Sequence, residues 1–322
     1  MSTITDNAAP AKGRSTSDEM VAFVIMAVLL AIVPVSGLYP YFVMQALCFA
    51  LFACAFNLLI GYSGLLSFGH AMFLGTGGYV AAHALKVWGV SPEIGIVLGV
   101  IGAAALSVVT GLIAIRRQGI YFAMITLALS QLLYFIYLQT PFTHGEDGIQ
   151  GIPQGRMFGF LDLSNTTTLY YVVTAIFLLA FLLIYRAINS PFGEVLKSIR
   201  ENEQRAISLG YKTDHYKFLA FVLSGSLAGL AGALKVFVAQ NASLTDVHWT
   251  MSGEVVLMTL VGGLGTVFGP VVGAFVIIAM QQYLAGFGQW VTVIQGAIFV
   301  ICVLTFRRGI IGEIAHIFKR SL

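Results

Sequence analysis

Two glycine-rich stretches decide the expected fold: GYSGLLSFGHAMFLG at residues 61–75 and GGLGTVFGPVVG at residues 262–273. Each contains a glycine followed, a few residues later, by Phe-Gly, and each lies beside a short or interrupted apolar segment. Paired interruptions of this kind in the two halves of a chain are typical of repeat-built membrane proteins. They predict broken helices, because non-helical backbone at membrane depth persists only where protein or water satisfies its polar groups. The alternative is close packing of intact helices at glycine.

The composition around these stretches is that of a membrane protein. Of the 322 residues, 58% are hydrophobic and 10% are charged, whereas a typical soluble domain is about one quarter charged. The net charge is only +3, and it indicates no acidic macromolecular partner. These values exclude a disordered chain, a nucleic-acid-binding domain and an ordinary soluble enzyme. The cysteines, Cys48, Cys54 and Cys302, lie inside apolar stretches and predict neither a disulfide nor a metal site.

The apolar residues occur in long runs separated by short polar segments. The runs lie near residues 20–38, 41–60, 71–87, 93–115, 119–139, 169–188, 216–239, 254–264, 266–286 and 290–306. We predict an all-α polytopic membrane protein of about ten (8–10) transmembrane helices, built as an inverted repeat with Gly-rich broken helices. The run 254–264 is short, about 16 Å as a helix. It is either a half-helix or part of a longer crossing.

The basic residues predict the orientation of the chain. Fourteen of the 17 lysines and arginines fall into four groups: before the first run, between the fourth and fifth, between the sixth and seventh, and after the last. With ten crossings all four groups lie on one side, which the positive-inside rule makes cytoplasmic. We therefore expect a multi-pass membrane protein with both termini in the cytoplasm.

This orientation divides the chain into a membrane domain and two tails. Residues 1–19 are predicted as a polar cytoplasmic tail, residues 20–306 as the transmembrane domain and residues 307–322 as a second cytoplasmic tail. Within the membrane domain, the hydrophilic segment 140–168 is expected outside. The hydrophilic segment 189–215 is expected in the cytoplasm.

Segment 189–215 is predicted to form an amphipathic helical element about 15 residues long. Its apolar face would consist of Val195, Leu196, Ile199, Ala206 and Leu209. Glu201 and Arg205 have the i,i+4 spacing of a surface ion pair, and Gly210 is placed to end the helix. The element is either a solvated or lipid-lying helix, or a docking element for a cytoplasmic partner. Mixed charges argue against binding to lipid alone.

Motifs for covalent chemistry are missing from the sequence. There is no GxxxxGK[ST] phosphate loop, H-E-x-x-H, G-x-S-x-G or paired-carboxylate arrangement. Ionisable residues inside the apolar runs are scarce, with Glu254 the best candidate for a proton relay. This pattern favours a protein that is not an enzyme and whose energy source lies outside this chain.

Four motifs resemble the permease subunits of branched-chain amino acid ABC importers, specifically the M-type of their two permeases. They are NLLIGYSGLLSFGHAMF at residues 57–73, RQGIYFAMITLA at 117–128, DGIQGIP at 147–153 and the segment 192–233. The stretch 254–273 also fits, and the resemblance covers roughly residues 40–306. The run THGE at residues 143–146 departs from the family pattern, which leaves the fine substrate preference open.

The resemblance implies an ATP-driven importer of branched-chain, hydrophobic amino acids that works by alternating access. It also implies a bacterial-type cytoplasmic (inner) membrane as the location. Its expected partners are a second related permease subunit, two cytoplasmic ATPase subunits, an external solute-binding protein and the lipid bilayer. No cofactor is expected on this chain, because ATP and Mg²⁺ would bind to the partner ATPases. No nucleic acid and no metal are expected.

The resemblance also implies roles for individual residues. The substrate path would include Asn57, Gly64, Ser67, Phe68, Gly69, His70, Gly262, Gly263 and Gly265. The ATPase coupling surface would include Glu194, Arg200, Glu201, Glu203, Arg205, Ala206, Gly210 and Tyr211. His70 has the alternative role of a packing histidine. For the whole chain, the alternatives are a permease for urea, short amides or sugars, an ion-coupled secondary carrier, and a structural membrane anchor.

Overall fold

A computed structural model describes residues 16–35, 37, 39–288, 290–305 and 309–317. Glycine, proline and asparagine residues set the ends of many of its helices, and each predicted apolar run falls on one helix. The helices are α1 (Thr16–Ile32), α2 (Pro40–Ser63), α3 (His70–Lys86), α4 (Pro92–Ala114), α5 (Ile120–Gln139), α6 (Thr166–Ile188), α7 (Pro191–Glu201), α8 (Glu203–Ser208), α9 (Thr213–Ala239), α10 (Trp249–Gly262), α11 (Gly269–Leu284), α12 (Trp290–Thr305) and α13 (Gly309–Ile317).

Short strands gather at one end of the helix bundle. They are β1 (Ile149–Gln150), β2 (Arg156–Met157), β3 (Leu161–Asp162) and β4 (Asn241–Ala242), with β1 antiparallel to β4 and β2 antiparallel to β3. Lys86, the last residue of α3, donates from Nζ to the carbonyl of Gln150 at 2.6 Å. Glu93, in the first turn of α4, accepts from the backbone N–H of Phe158 at 3.3 Å. We call this end of the bundle the strand end.

Helices α2 and α9 occupy the centre of the bundle. Almost every residue of α2 is buried, as is expected of a helix that is apolar on all sides. It contacts α6, α9, α10 and α11, and α9 also packs against α3 and α4. Helices α4 and α5 are much less buried and present apolar side chains outward. The surface that they present is suited to lipid or to another membrane subunit.

Glycine permits the tight contact between α3 and α9. A Cβ atom on Gly77 would lie 2.2 Å from the carbonyl oxygen of Gly229, and a Cβ atom on Gly232 would lie 1.8 Å from that of Leu74. No side chain fits at these distances, so the two backbones are in direct contact. Small residues at helix crossings are the usual basis of helix association in membranes.

Five helices, α2, α4, α5, α6 and α9, are long and apolar enough by themselves to cross a bilayer. The other predicted crossings fall on shorter helices, α1 and α3 of 17 residues, α10 of 14, and α11 and α12 of 16. The protein is an all-α, multi-pass membrane protein. The number of ten crossings stays a prediction.

Most of the short run 254–264 lies in helix α10. The helix begins at Trp249, next to the strand end, and ends at Gly262, next to the turn that leads to α11. It therefore connects the two ends of the bundle. Its 14 residues measure about 21 Å, less than the roughly 30 Å of a hydrocarbon core. Helix α10 alone is therefore too short to span the hydrocarbon core.

The two glycine-rich segments have the same direction in the bundle. The chain runs from the strand end down α2 to a turn at residues 64–69 and back along α3. It runs in the same way down α10 to a turn at residues 263–268 and back along α11. The two segments are thus parallel, and they are not counterparts in an inverted repeat. The match between their sequences gives no support for an inverted repeat, which stays a prediction.

Parts of both predicted tails, residues 16–19 and 309–317, are helical in the structure. Helix α1 begins at Thr16, so residues 16–19 are helical and not part of a loose tail. Residues 309–317 form α13, which packs against α10 and α11. A Cβ atom on Gly309 would lie 2.4 Å from the Cα atom of Gly263, so α13 begins directly against the second turn. Residues 1–15, 306–308 and 318–322 lie outside the described part of the chain.

Replacing Gly232 with alanine is expected to separate α3 from α9. The added methyl group would overlap the Leu74 carbonyl, and overpacking of this kind costs about 1–3 kcal/mol. The matched control is Gly296→Ala on α12, where a Cβ atom meets nothing within 4 Å. The thermal unfolding midpoint in detergent should fall for Gly232→Ala and not for Gly296→Ala. Equal midpoints would show that the α3–α9 contact adjusts without cost.

Candidate functional site

The first turn, residues 64–69, is held by α5. Gly64 ends α2 with a φ of 74°, in the left-handed region that favours glycine. The N–H of Phe68 donates to Thr126 Oγ1 at 3.2 Å, and the N–H of Gly69 donates to Ser67 Oγ at 3.3 Å. A Cβ atom on Gly69 would lie 2.5 Å from the carbonyl oxygen of Thr126. The first turn is therefore in direct backbone contact with α5.

The second turn, residues 263–268, is stabilised from within by Thr266. Its hydroxyl donates to the Gly263 carbonyl at 2.8 Å and accepts from the N–H of Gly269 at 3.1 Å. Gly263 and Gly265 have φ values of 124° and 73°. A Cβ atom on Gly262 would lie 2.0 Å from the carbonyl oxygen of Gly269, so α10 and α11 meet closely at their ends.

Asn57, on the buried helix α2, joins that helix to the second turn. Its Nδ2 donates to the carbonyl of Thr266 at 2.9 Å, and its Oδ1 accepts from the N–H of Gly265 at 3.0 Å. One side-chain amide thus satisfies a donor and an acceptor that the break in the helix leaves free. Gly61 lies one helical turn further on, where a Cβ atom would lie 2.9 Å from the Gly265 nitrogen. The second turn rests directly on α2.

Arg200, near the end of α7, reaches both turns. Its guanidinium donates to the carbonyl of Gly61. A Cβ atom added to Gly64 would lie 3.0 Å from the Cγ atom of Arg200. A Cβ atom added to Gly265 would lie 3.1 Å from Arg200 Nη1. The first turn, the second turn and α7 therefore meet at one place. We call Asn57, Gly61, Gly64, Arg200, Gly265 and Thr266 the junction, and the end of the bundle that contains it the junction end.

A cavity of about 420 Å³ lies beside the first turn. It is lined by Gly64, Leu65, Leu66 and Phe68 of the turn and by residues at the start of α5. The lining is mostly apolar. The junction thus borders a space that is large enough to hold a small apolar molecule.

The apolar face of α7 packs against the protein itself. Val195, Leu196 and Ile199 are buried, so this face is not free for a partner. The predicted single helix is in fact two helices, because Asn202 adopts an extended conformation and caps α8 through the N–H of Arg205 at 3.0 Å. Glu201 and Arg205 therefore lie on different helices, and the predicted i,i+4 pair is wrong.

The exposed side chains of α8 and the turn after it differ from those predicted. Ala206 is buried against Val195 and Ile199, whereas Leu209 is 68% exposed. The placement of Leu209 on the buried apolar face was wrong, and Ala206 is unavailable to a partner. Gly210 follows α8 with a φ of 90°, and its N–H donates to the Ile207 carbonyl, as the predicted cap requires.

An ion pair ties α8 to α9. Lys217 is only 2% exposed, and its ammonium pairs with the carboxylate of Glu203. The hydroxyl of Thr213 donates to the same carboxylate at 3.2 Å. Glu203 thus faces inward and supports the element, and is not part of the free surface. Removing one partner of such a buried pair is strongly destabilising.

The remaining coupling candidates are exposed, and of these Arg200 also reaches inward to the Gly61 carbonyl. They are Glu194, Arg200, Glu201, Arg205, Gly210 and Tyr211. Glu194 also accepts from Lys197 at 2.6 Å, three residues further along α7. Ile207 and Leu209 add apolar surface beside Tyr211. The exposed part of α8 therefore combines charged and apolar side chains.

Most of the predicted path residues are packed inside the chain. Asn57, Ser67 and His70 are buried, and Gly69 and Gly262 are in close backbone contact. The His70 ring nitrogen Nε2 shares a hydrogen bond with Ser224 Oγ, 2.8 Å away, and the ring is nearly perpendicular to those of Phe56 and Phe73. This geometry favours the packing role for His70. Gly64 is exposed beside the cavity, and the path as a whole stays a prediction.

Two residues of the site were not singled out from the sequence. Thr126 holds the first turn from α5, and Thr266 holds the second turn from within. Both lie inside stretches that carry the family resemblance, but neither spacing nor charge distinguishes them from the residues around them. Across the described ranges, no group of three His, Cys, Asp or Glu side chains is placed to hold a metal ion.

The fold and the site define a polytopic helical membrane protein with two interrupted helix pairs joined by a surface helix. A protein-family model described as the permease component of branched-chain amino acid transport systems matches residues 38–303. This is most of the chain, and the chain belongs to that family. The resemblance inferred from the motifs is confirmed.

The relatives include permeases with different cargo. The branched-chain amino acid permease LivM of Escherichia coli K12 is 26% identical over 79% of this chain, and the chain spans about 65% of the length of LivM. LivH of Methanocaldococcus jannaschii, a probable branched-chain amino acid permease, is 27% identical over 80% of this chain and 86% of its own. The ribose import permease RbsC of Bacillus subtilis is 27% identical, with coverages of 78% and 84%. No solved structure matches.

Replacing Asn57 with aspartate is expected to weaken the junction. Aspartate still accepts from Gly265 but cannot donate to the Thr266 carbonyl, and an unsatisfied buried polar group costs about 1–3 kcal/mol. Asn165→Asp is the control, because the Asn165 side chain caps α6 only as an acceptor, from the N–H of Thr167. The unfolding midpoint should fall for Asn57→Asp alone. A similar change in both variants would contradict the role of the donated bond.

Proposed function

We propose that this chain is a transmembrane permease subunit of an ATP-driven importer for branched-chain, hydrophobic amino acids. The observation that carries the proposal is the contact of Arg200 with both glycine turns, in a chain of the permease family. A helix on the surface of the bundle is thereby linked to the interrupted segments inside it. An importer driven by separate ATPases needs such a mechanical link.

The link is expected to work by movement of α7 and α8 as one unit. The apolar face of α7 and the Glu203–Lys217 pair fix this unit to the ends of the long helices. When the ATPases close on ATP, a force on α8 displaces Arg200 relative to Gly61 and Gly265. The two turns then change position together, which opens the path at alternate ends of the bundle. This chain supplies a path and a lever and performs no covalent chemistry.

The orientation follows from the positive-inside rule. The junction end, with α7 and α8, faces the cytoplasm and two ATPase subunits, which bind ATP and Mg²⁺. The strand end faces an external solute-binding protein. A second related permease subunit completes the membrane part, and the sparsely buried faces of α4 and α5 offer it apolar surface. Both termini are placed in the cytoplasm.

Each end of the bundle carries exposed apolar side chains suited to a protein partner. At the junction end these are Ile207, Leu209 and Tyr211 of α8 and the turn after it. At the strand end, Phe158 and Phe160 stack at the tip between β2 and β3 with ring centroids 6.3 Å apart. Phe158 has a φ of 53°, a strained conformation for a residue with a side chain.

A reciprocal pair of variants tests the two partner surfaces. Leu209→Asp places a charge in the expected ATPase contact and should lower recovery of the ATPase with the tagged permease about tenfold or more. Phe160→Asp should leave the ATPase bound but lower the stimulation of ATP hydrolysis by the liganded binding protein. Each variant is the control for the other, since both exchange an exposed apolar side chain for aspartate. Normal ATPase recovery with Leu209→Asp would contradict the docking assignment.

Uptake of labelled leucine tests the substrate class. Cells that carry the chain and its partners should take up leucine, and deletion of the chain should abolish this uptake. Unlabelled isoleucine and valine should compete, whereas urea and ribose should not. Leucine uptake that is unchanged by the deletion would overturn the amino acid assignment. Competition by ribose would instead favour the sugar permeases, to which RbsC belongs.

A further inference from the structure

A group of charged side chains that the junction does not involve lies at the strand end. Lys235, near the end of α9, pairs with Asp246 in the short helical turn before α10. Both side chains are largely buried. The Lys235 ammonium also lies 5.7 Å from the centre of the Phe49 ring on α2. The pair thus stands where α2, α9 and the segment before α10 meet.

Glu254, in the second turn of α10, faces the same place. It accepts from Gln281 Nε2 of α11 at 3.1 Å and lies within electrostatic range of Lys235 and Asp246. Among the described residues, Lys235 forms its ion pair with Asp246, and no cation lies within ion-pair distance of Glu254. We call Lys235, Asp246, Glu254 and Gln281 the charged cluster.

Charges inside membrane helices are costly and are usually retained for function. The Lys235–Asp246 pair could serve only to fasten the segment before α10, but Glu254 does not belong to that pair. When its groups are ionised, the charged cluster has two carboxylates and one ammonium group. It therefore carries a cation and an uncompensated anion side by side.

Open space lies next to Glu254. Glu254 and Gln281 are partly exposed, and a Cβ atom on the neighbouring Gly253 would meet nothing within 4 Å. Glu254 and Gln281 lie on α10 and α11, the helices that flank the second glycine turn. A molecule bound here at the strand end would thus touch the helices that the junction controls.

We propose that the charged cluster binds the charged groups of a zwitterionic amino acid, with Glu254 accepting from the α-ammonium and Lys235 receiving the α-carboxylate. Gln281 positions Glu254 through their hydrogen bond. The substrate carboxylate competes with Asp246 for Lys235, so the cation keeps an anionic partner at every stage. Because a zwitterion has no net charge, the net charge of the cluster is unchanged. A neutral sugar or urea would leave Glu254 without a cation.

This inference rests on the proposed function, since it assigns a site for the same substrate class. The test is leucine uptake into proteoliposomes that contain the complete importer, with saturating binding protein outside. Glu254→Gln preserves the shape of the side chain and removes its charge, whereas Glu254→Asp preserves the charge and shortens the side chain. The control is Glu93→Gln, a carboxylate at the same end of the bundle that retains an acceptor for the Phe158 N–H.

We expect the maximal uptake rate to fall about tenfold or more for Glu254→Gln, because a charge-assisted hydrogen bond is lost. Glu254→Asp should retain more activity than Glu254→Gln, and Glu93→Gln should match the unmodified protein. A purely structural role for the Gln281 hydrogen bond predicts the opposite order, since glutamine preserves that geometry. Uptake by Glu254→Gln that equals or exceeds uptake by Glu254→Asp would overturn the proposal.

The cation is tested by the double variant Lys235→Met, Asp246→Asn, which removes both charges and leaves neither buried alone. We expect uptake to fall about tenfold in this variant as well. Uptake at the unmodified rate would show that no cation is needed and would overturn the proposal. Absence of leucine uptake by the unmodified complex would instead overturn the proposed function, so the two failures are distinguishable.

Discussion

The two hydrogen bonds from Asn57 to the second glycine turn are the interaction on which the junction depends. A helix that breaks inside an apolar bundle leaves backbone groups without their helical partners, and those shielded from water must find partners within the protein. Asn57 supplies both a donor and an acceptor from the last two turns of a buried helix. Arg200 satisfies the Gly61 carbonyl from the surface helix and touches both turns. The need to satisfy broken backbone thus creates the connection between surface and interior.

The same constraint explains the glycines at the junction. An amide can reach the second turn only if that turn rests directly on α2, and a side chain on Gly61 would prevent this approach. Gly64 and Gly265 adopt left-handed backbone conformations that other residues adopt only with strain. The glycine clusters therefore combine the two roles that the sequence leaves open. They break helices, and they also permit close packing, as at Gly69 and Gly262.

The element formed by α7, α8 and the turn after them shows which features a local sequence pattern predicts and which it misses. The glycine cap at Gly210 is local, since it depends on a left-handed residue directly after a helix, and it was predicted from the sequence. The outward direction of Leu209 is not local. It depends on where α8 ends and on what it packs against, since the helix stops at Ser208 and Leu209 follows it. An apolar pattern read as one continuous helix therefore places Leu209 on the same face as Ala206, whereas Ala206 is buried and Leu209 is exposed.

The sequence by itself determined the class of protein, the apolar runs that become helices, the places where glycine interrupts them and the family. The class, the runs and the interruptions follow from composition and from short-range spacing, because hydrophobic length and glycine conformation act locally. The family follows from the resemblance of whole motifs to those of known permeases. Only the tertiary structure decided which side chains form hydrogen bonds with the backbone where the helices are interrupted. Asn57 and Thr266 are 209 residues apart, and Arg200 and Gly61 are 139 residues apart. Contacts over such separations depend on which helices are neighbours in the bundle. The apolar pattern of a single sequence does not identify these neighbours.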